Sequence, residues 1–235
     1  MTAVKSPLQL GNSPSRRDGA EDRLRNGGAR EPRRLVLLDE ADKEAALFFV
    51  RWLKAPHRIG AVAPSSRHLA RAIAQEVADV GPGPVIELGG GTGSVTRALL
   101  EAGIAPERLI VVERDELLYR HLREHFPKIR VLRGDARRLR KLLAPLGITA
   151  AAAVVSGLPL ISMPRPTRNR IIAESFALLA SGAPFVQFTY GLTSPIARER
   201  LGLKGRIAAR VWANIPPASV WRYERRRERD VRRVA

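Results

Sequence analysis

The sequence predicts an α/β fold in which short apolar strands alternate with amphipathic helices around a mostly parallel sheet, and three observations carry that prediction. Apolar runs of four or five residues recur between helix-period segments from Val85 to Phe188, the pattern of crossover units. The run Val85–Leu88 breaks directly into Gly89-Gly-Gly-Thr-Gly93 before a helical pattern begins. Two strand-like runs close the chain on either side of Ile215-Pro-Pro-Ala-Ser219, which suits a reversal and therefore a terminal hairpin.

Residues 1–34 mix Pro, Gly, Ser, Asn and Arg with few large apolar groups. Such a composition cannot bury enough surface to offset ordering, so a mobile Arg-rich arm is expected. After Leu35–Leu38, the segment 42–54 places Ala45, Phe48, Phe49 and Trp52 at the i, i+3, i+4, i+7 spacing of one helix face. Glu44, Arg51 and Lys54 fall largely elsewhere, giving an amphipathic helix with an aromatic stripe, and Pro56 limits its continuation. A second helix is expected from Pro64-Ser-Ser, where a serine caps the orphan amides, through Leu69, Ile73 and Val77. Gly81-Pro-Gly-Pro84 ends it, so 35–80 form an N-terminal helical segment ahead of a catalytic domain over 81–224.

Within that domain the strands are expected at Val85–Leu88, Leu109–Glu113, Ile129–Leu132, Ala152–Val155 and Phe185–Phe188. The helices between them are expected at Thr92–Glu101, Glu116–His125, Ala136–Leu143 and Thr167–Leu179. Arg206–Trp212 and Val220–Glu224 form the hairpin, and 225–235 are a basic tail. No internal repeat is present.

Composition narrows the function classes. At 235 residues, one α/β domain with tails is the expected organisation. The chain has no cysteine, which removes disulfides, thiolate nucleophiles and Cys-based metal sites. Its four histidines make no H-E-x-x-H motif, so no metal is expected. A formal net charge of +18 attracts polyanions, whether nucleic acid or an anionic bilayer. No run of about 18 apolar residues occurs, and the first thirty-odd residues lack the apolar core of a secretory signal, so a cytoplasmic protein with at most peripheral membrane contact is expected.

The chemistry concentrates at the glycine loop. Glycines let the backbone turn sharply and approach a ligand that side chains would exclude. The loop lies where a nucleoside-containing cofactor sits in an open α/β sheet, beyond the carboxyl end of a strand. Glu87 lies inside the motif, Glu113 ends the next strand and can accept both hydroxyls of a ribose, and Asp135 follows the third strand, placed to meet an adenine amino group. The spacing G-x-G-x-x-G is absent, because Thr96 or Ser94 stands where its last glycine would be, and that disfavours a dinucleotide.

Glu87-Leu-Gly-Gly-Gly-Thr-Gly93, Glu113 and Gly134-Asp135 resemble motifs I, II and III of the class I methyltransferases. The resemblance implies a Rossmann-like domain, a mostly parallel seven-stranded sheet with a C-terminal antiparallel hairpin, and S-adenosylmethionine as cofactor. It places Gly89, Gly91 and Gly93 along the methionine side, Glu113 at the ribose and Asp135 with Ala136 at the adenine, and it counts Glu87 and Arg114 among the cofactor-binding residues. At Gly90 the family admits many residues.

From about Phe48 to Tyr223 the chain is similar to bacterial phospholipid N-methyltransferases. The segments that carry this are Phe49-Val-Arg-Trp-Leu53, Ile59-Gly-Ala-Val-Ala-Pro-Ser-Ser66, Val155-Ser-Gly-Leu-Pro-Leu160 and Phe185-Val-Gln-Phe-Thr-Tyr-Gly191. The resemblance implies N-methylation of phosphatidylethanolamine and its methylated intermediates towards phosphatidylcholine, on the cytoplasmic face of a membrane. It also implies a lid over the cofactor bearing Gly60, Ala61 and Ser65, with Ser156 beside the cofactor. The rRNA adenine dimethyltransferases are similar in turn, so RNA is the rival acceptor. Those enzymes typically carry Asn-Leu-Pro-Tyr or Phe, whereas this chain has Gly157-Leu-Pro-Leu160, which offers neither a side-chain amide nor a stacking ring.

A lipid acceptor gives the aromatic stripe a use. Phe48, Phe49 and Trp52 can enter the interfacial zone while Arg51, Lys54, His57 and Arg58 meet anionic head groups. For catalysis, Tyr190 or the carbonyl oxygens around Ser156 and Gly157 can orient the amine or accept its hydrogen, and the Tyr190 ring can favour the cationic product.

Overall fold

The computed structural model describes residues 64–190, 193–214 and 217–225. Residues 1–34, expected as an arm, Phe48, Phe49, Arg51, Trp52 and Lys54, expected on an aromatic helix, Gly60 and Ala61, expected in a lid, and the residues beyond Arg225 lie outside the described residues.

Seven strands form one sheet: β1 Val85–Leu88, β2 Leu109–Glu113, β3 Arg130–Arg133, β4 Ala153–Ser156, β5 Phe185–Thr189, β6 Leu203–Val211 and β7 Ala218–Arg225, in the order β3-β2-β1-β4-β5-β7-β6. The first five run parallel, and β7 lies antiparallel between β5 and β6. The expected parallel sheet with a terminal hairpin is therefore the observed one. The central strands β1, β2 and β4 are buried along their whole length, which is why they read as continuous apolar runs rather than alternating ones. The edge strands are charged. Arg130 and Arg133 mark β3, and Lys204, Arg206 and Arg210 mark β6, a composition that discourages further strand pairing.

Among the described residues five α-helices cover the sheet: α1 Pro64–Gln75, α2 Ser94–Glu101, α3 Glu116–His125, α4 Leu139–Leu143 and α5 Arg165–Leu178. Residues Val85, Val111, Val155 and Val186 face α1, α2 and α3, where they pack with Leu69, Ile73, Leu99 and Leu122. The alternate residues Ile86, Ile110, Val154 and Phe185 face α4 and α5, where they pack with Leu139, Leu143, Ile172 and Phe176. The strand order reverses between β1 and β4, and the crevice beyond their carboxyl ends is where ligands bind in sheets of this topology.

Several boundaries differ from the sequence expectation, each for a local reason. The first described helix begins at Pro64, so Ser65 and Ser66 fall inside its first turn, and Val77 lies past its end. Helix α2 starts at Ser94 instead of Thr92 because Gly93, at φ 81°, takes the left-handed conformation and stands outside the helix. The segment expected as one helix over Ala136–Leu143 is a 3₁₀ turn, Ala136–Arg138, followed by α4, with Asp135 accepting the Arg137 amide as its cap. Helix α5 begins at Arg165, since Pro166 is accepted in a first turn where its missing N–H has no partner to lose. Strand β6 spans Leu203–Val211, starting before Arg206 and leaving Trp212 in the hairpin turn.

Candidate active site

The loop after β1 is built by its glycines. Gly89, Gly91 and Gly93 all have positive φ, at 76°, 55° and 81°, a region that L side chains avoid. The Gly89 amide donates to Val112 O at 2.8 Å, and the Gly93 amide donates to Gly90 O at 2.9 Å, closing the turn. A β-carbon on Gly91 would meet nothing within 4 Å, so the loop is open to a ligand at that point. Gly90 is constrained by packing instead. A β-carbon there would lie 2.5 Å from Val111 Cγ1 and 2.8 Å from Leu122 Cδ1, so in this chain a side chain at that position requires both neighbours to shift.

The two acids nearest the loop are arranged differently. Glu113, at the end of β2, is buried, and its carboxylate accepts three amides: Gly91 at 3.0 Å on Oε2, and Arg114 at 2.7 Å and Asp115 at 2.9 Å on Oε1. A carboxylate has about four acceptor sites, so one remains for a ligand hydroxyl on the Oε2 side. Glu87 is buried in β1 and accepts the Thr96 hydroxyl at 2.7 Å on Oε2, while its Oε1 has no protein partner. Burial pushes the Glu87 carboxyl up to about 8, and the nearby Glu113 charge adds to that shift. It is therefore mainly protonated at neutral pH, able to donate as well as accept.

Asp135 lies beyond β3 as expected, but it is already engaged. Arg137 reaches its Oδ2 through Nε at 2.8 Å and Nη2 at 2.6 Å, and the Arg137 amide donates to Oδ1. The Arg137 hydrogen bond, outweighing the smaller effect of burial, lowers the Asp135 carboxyl below its ordinary range. The neighbouring Ala136 is buried.

The edge of β4 and β5 carries the residues expected for the acceptor side. Ser156 is buried, pairs in register with Gln187, and its Oγ accepts the Leu158 amide at 3.4 Å. Gly157 donates its amide to Leu88 O at 2.8 Å, and a β-carbon on it would stand 2.7 Å from Gly89 O. Leu160 is buried in the second core. Tyr190 follows β5, with its ring edge-on to Phe188 at 5.7 Å and packed against the first core. Its phenol is raised by burial, an effect that its hydrogen bond with Asn214 opposes. Ser65 lies in the first turn of α1.

Glu87, Gly89, Gly91, Gly93, Glu113, Ser156 and Gly157 thus converge where the strand order reverses, and Tyr190 stands at the same end of the sheet. Sequence reasoning passed over Gln187, which is buried and donates through Nε2 to Leu158 O at 3.0 Å and Phe188 O at 2.7 Å, tying the loop after β4 to β5. The available signal was one amide inside the otherwise apolar run Phe185–Phe188. Thr96, which stands where a dinucleotide motif would carry its last glycine, holds Glu87 through its hydroxyl.

These residues fit S-adenosylmethionine. The open face at Gly91 admits a ligand against the backbone, Glu113 keeps an acceptor for a ribose hydroxyl, and the orphaned Oε1 of Glu87 provides a buried polar contact. Among the described residues no group of three or more His, Cys, Asp or Glu could hold a metal ion.

No protein-family model matches the chain. An ornithine lipid N-methyltransferase from Singulisphaera acidiphila is 35% identical over 150 residues, covering 63% of this chain and 78% of that protein. Among solved structures, the 1,6-didemethyltoxoflavin-N1-methyltransferase of Burkholderia thailandensis, with bound S-adenosylhomocysteine, superposes with a TM-score of 0.57 at 16% identity over 81% of this chain and 92% of that one. An O-methyltransferase from Bacillus cereus, also with S-adenosylhomocysteine, gives a TM-score of 0.56 at 12% identity over 82% and 93%. At those identities the two structures speak to the fold, which they share with this sheet and its crevice. Together with the sequence identity to the lipid enzyme, the glycine loop and the acids at its strand ends place the chain in its family: it belongs to the class I, S-adenosylmethionine-dependent bacterial lipid N-methyltransferases.

Proposed function

We propose that this lipid N-methyltransferase acts on the amine of phosphatidylethanolamine and of its methylated intermediates, towards phosphatidylcholine, at the cytoplasmic face of a membrane. The observation that carries a lipid acceptor over a nucleobase is the contact between Gly157 and the Gly89 carbonyl, which leaves no room for a side-chain amide. Leu160, three residues on, is buried and offers no aromatic face. A second reading, the amine of ornithine lipid, is favoured by the identity to the Singulisphaera enzyme. Both acceptors are zwitterionic head groups with a primary amine.

Bound in the crevice, S-adenosylmethionine supplies an electrophilic methyl group for in-line attack by the neutral amine. The chain contributes position and exclusion of water. Gly89, Gly91 and Gly93 admit the methionine side, Glu113, fixed by the Arg114 amide, holds the ribose end, and Asp135 with Ala136 borders the adenine. Ser156 and Gly157 present backbone carbonyls to the amine, and Gln187 fixes the loop that carries them. Tyr190 acts through its ring, because burial keeps its phenol protonated at neutral pH and removes it as a base. Desolvation lowers the amine's own pKa, and its proton leaves to solvent before attack.

Docking through Phe48, Phe49 and Trp52, with Arg51 and Lys54 at the head groups, belongs to this reading, and Gly60 and Ser65 are its lid residues. It is supported by the +18 charge and by Trp212, 70% exposed in the turn between β6 and β7. That turn lies at the end of the sheet where β5 finishes, because β6 runs parallel to β5 through the antiparallel β7. Among the described residues no helix is long and apolar enough to cross a membrane.

The test is transfer of labelled methyl from S-adenosylmethionine to mixed anionic vesicles containing phosphatidylethanolamine or ornithine lipid, with structured rRNA as competitor. Label in phosphatidylethanolamine is expected. Label confined to ornithine lipid would move the acceptor to the second reading, and label confined to RNA would overturn both.

A further inference from the structure

Helix α5 carries one acid, Glu174, and several arginines. Glu174 is buried and already taken, by Arg140 at 2.9 Å and by Arg170 at 3.1 Å. Arg165 and Arg168 are left over, and among the described residues neither guanidinium makes an ion pair or a side-chain hydrogen bond. Arg165 is exposed, but Arg168 is partly buried.

The position of Arg168 on the helix explains its burial. It stands three, four, seven and eight residues before Ile171, Ile172, Ser175 and Phe176, all buried against the sheet. At about 100° per residue, that spacing puts Arg168 on the same sheet-facing stripe, at its N-terminal end. Side chains on a helix lean towards its N-terminus. The N-terminus of α5 follows the loop after β4, so the lean carries Arg168 towards the carboxyl ends of the strands, where Ser156, Gly157 and Gln187 lie. Burial, and then the neighbouring Arg165 cation, hold the Arg168 pKa below its ordinary value. A partly desolvated cation beside a second cation, with no protein counter-charge, gains from an anion that a ligand supplies. A guanidinium presents two parallel N–H groups that match both a phosphodiester and a carboxylate.

We propose that Arg168, assisted by Arg165, binds the anionic group of the zwitterionic lipid head group and so selects acceptors in which an amine lies a few bonds from an anion. This deepens the lipid-amine reading and rests on it. Phosphatidylethanolamine offers the anion as a phosphodiester and ornithine lipid as a carboxylate. Either one, held at Arg168, keeps its amine at the end of the sheet where Ser156 and Gly157 stand.

The test uses the full chain with S-adenosylhomocysteine bound, titrated calorimetrically with three short-chain acceptors: dihexanoyl phosphatidylethanolamine, an ornithine lipid of similar chain length, and an N-acyl diaminoethane that has the amine but no anion. Arg168→Ala is expected to weaken at least one of the two zwitterionic lipids by roughly ten- to a hundredfold, the range for a charge-assisted hydrogen bond, and to leave the anion-free amine unchanged. Arg168→Lys should recover part of the loss. The melting temperature of Arg168→Ala should hold or rise, because no protein partner is orphaned. A loss for phosphatidylethanolamine alone identifies a phosphodiester site, and a loss for ornithine lipid alone a carboxylate site. Equal weakening of all three acceptors, no weakening of any, a lowered melting temperature, or failure of the wild type to bind either zwitterionic lipid would overturn the proposal. Methyl transfer measured on the same samples separates the two readings. Arg168-dependent binding without methylation of either lipid leaves the anion site standing and removes the lipid-amine reading.

Discussion

The carbonyl oxygen of Gly89 lies 2.7 Å from the point that a β-carbon on Gly157 would occupy. Two loops, one after β1 and one after β4, therefore meet backbone to backbone across the point where the strand order reverses. The Gly157 amide to Leu88 O bond, at 2.8 Å, holds them together.

Because the obstacle is backbone, it cannot swing aside as a flexible side chain would. Gly157→Ala is expected to lower stability by about 1–3 kcal/mol, the usual range for overpacking, and to weaken S-adenosylmethionine binding by displacing the glycine loop. Thermal melting with and without cofactor measures both effects. Gly157→Asn, which introduces the amide typical of the adenine enzymes, should fare worse, and methylation of RNA by that variant would refute the steric argument.

Glu113 gathers the amides of Gly91, Arg114 and Asp115 on one carboxylate. Glu113→Ala orphans all three and removes the acceptor for the ribose. Cofactor affinity should fall roughly ten- to a hundredfold, the loss expected for one charge-assisted hydrogen bond, with a lowered melting temperature even without cofactor. Glu113→Gln keeps one acceptor oxygen and should fall between the two. Equilibrium dialysis with labelled S-adenosylmethionine gives the affinities.

Glu87 makes stability depend on pH. Its folded pKa, raised by burial to about 8 from an ordinary 4.5, means that the folded chain holds a proton which the unfolded chain has released between those values. Stability from this group is fully present below about pH 4.5 and is lost as pH rises through about 8. Glu87→Gln should therefore flatten the decline in melting temperature between neutral and mildly alkaline pH. An unchanged slope in that variant would assign the decline elsewhere.

Trp212 offers a separable test of docking. Trp212→Ala should reduce co-sedimentation with anionic vesicles, by about tenfold if the ring is fully buried in the interface. Transfer to a short-chain lipid below its aggregation threshold should be unaffected, because the residue is exposed and outside the crevice. A matching fall with soluble acceptor would show that the hairpin turn serves the site and not the membrane.

The glycine loop and its acids were legible because each depends on local order. A strand that breaks into glycines and re-forms as a helix needs no partner to be recognised, and neither do acids at the ends of successive apolar runs. Boundaries were less legible where backbone geometry decided them, as at Gly93, whose left-handed φ delays α2, and at Asp135, whose cap turns the start of a helix into a 3₁₀ turn. The engagement of Asp135 by Arg137, two residues away, could have been suspected from spacing. The proton held by Glu87 could not, since it follows from total burial within the sheet.

The sequence by itself determined the order of strands and helices, the cofactor loop, the hairpin that closes the sheet and the family resemblance, all of which rest on periodicity and on residues close together in the chain. Tertiary structure alone decided that Gly157 abuts Gly89, that Gln187 ties the loop after β4 to β5, that Thr96 secures Glu87 and that Glu174 consumes Arg140 and Arg170 while Arg168 goes unpaired. Which polar groups find partners depends on sheet register and helix facing, and these are set when the two cores pack on opposite sides of the sheet.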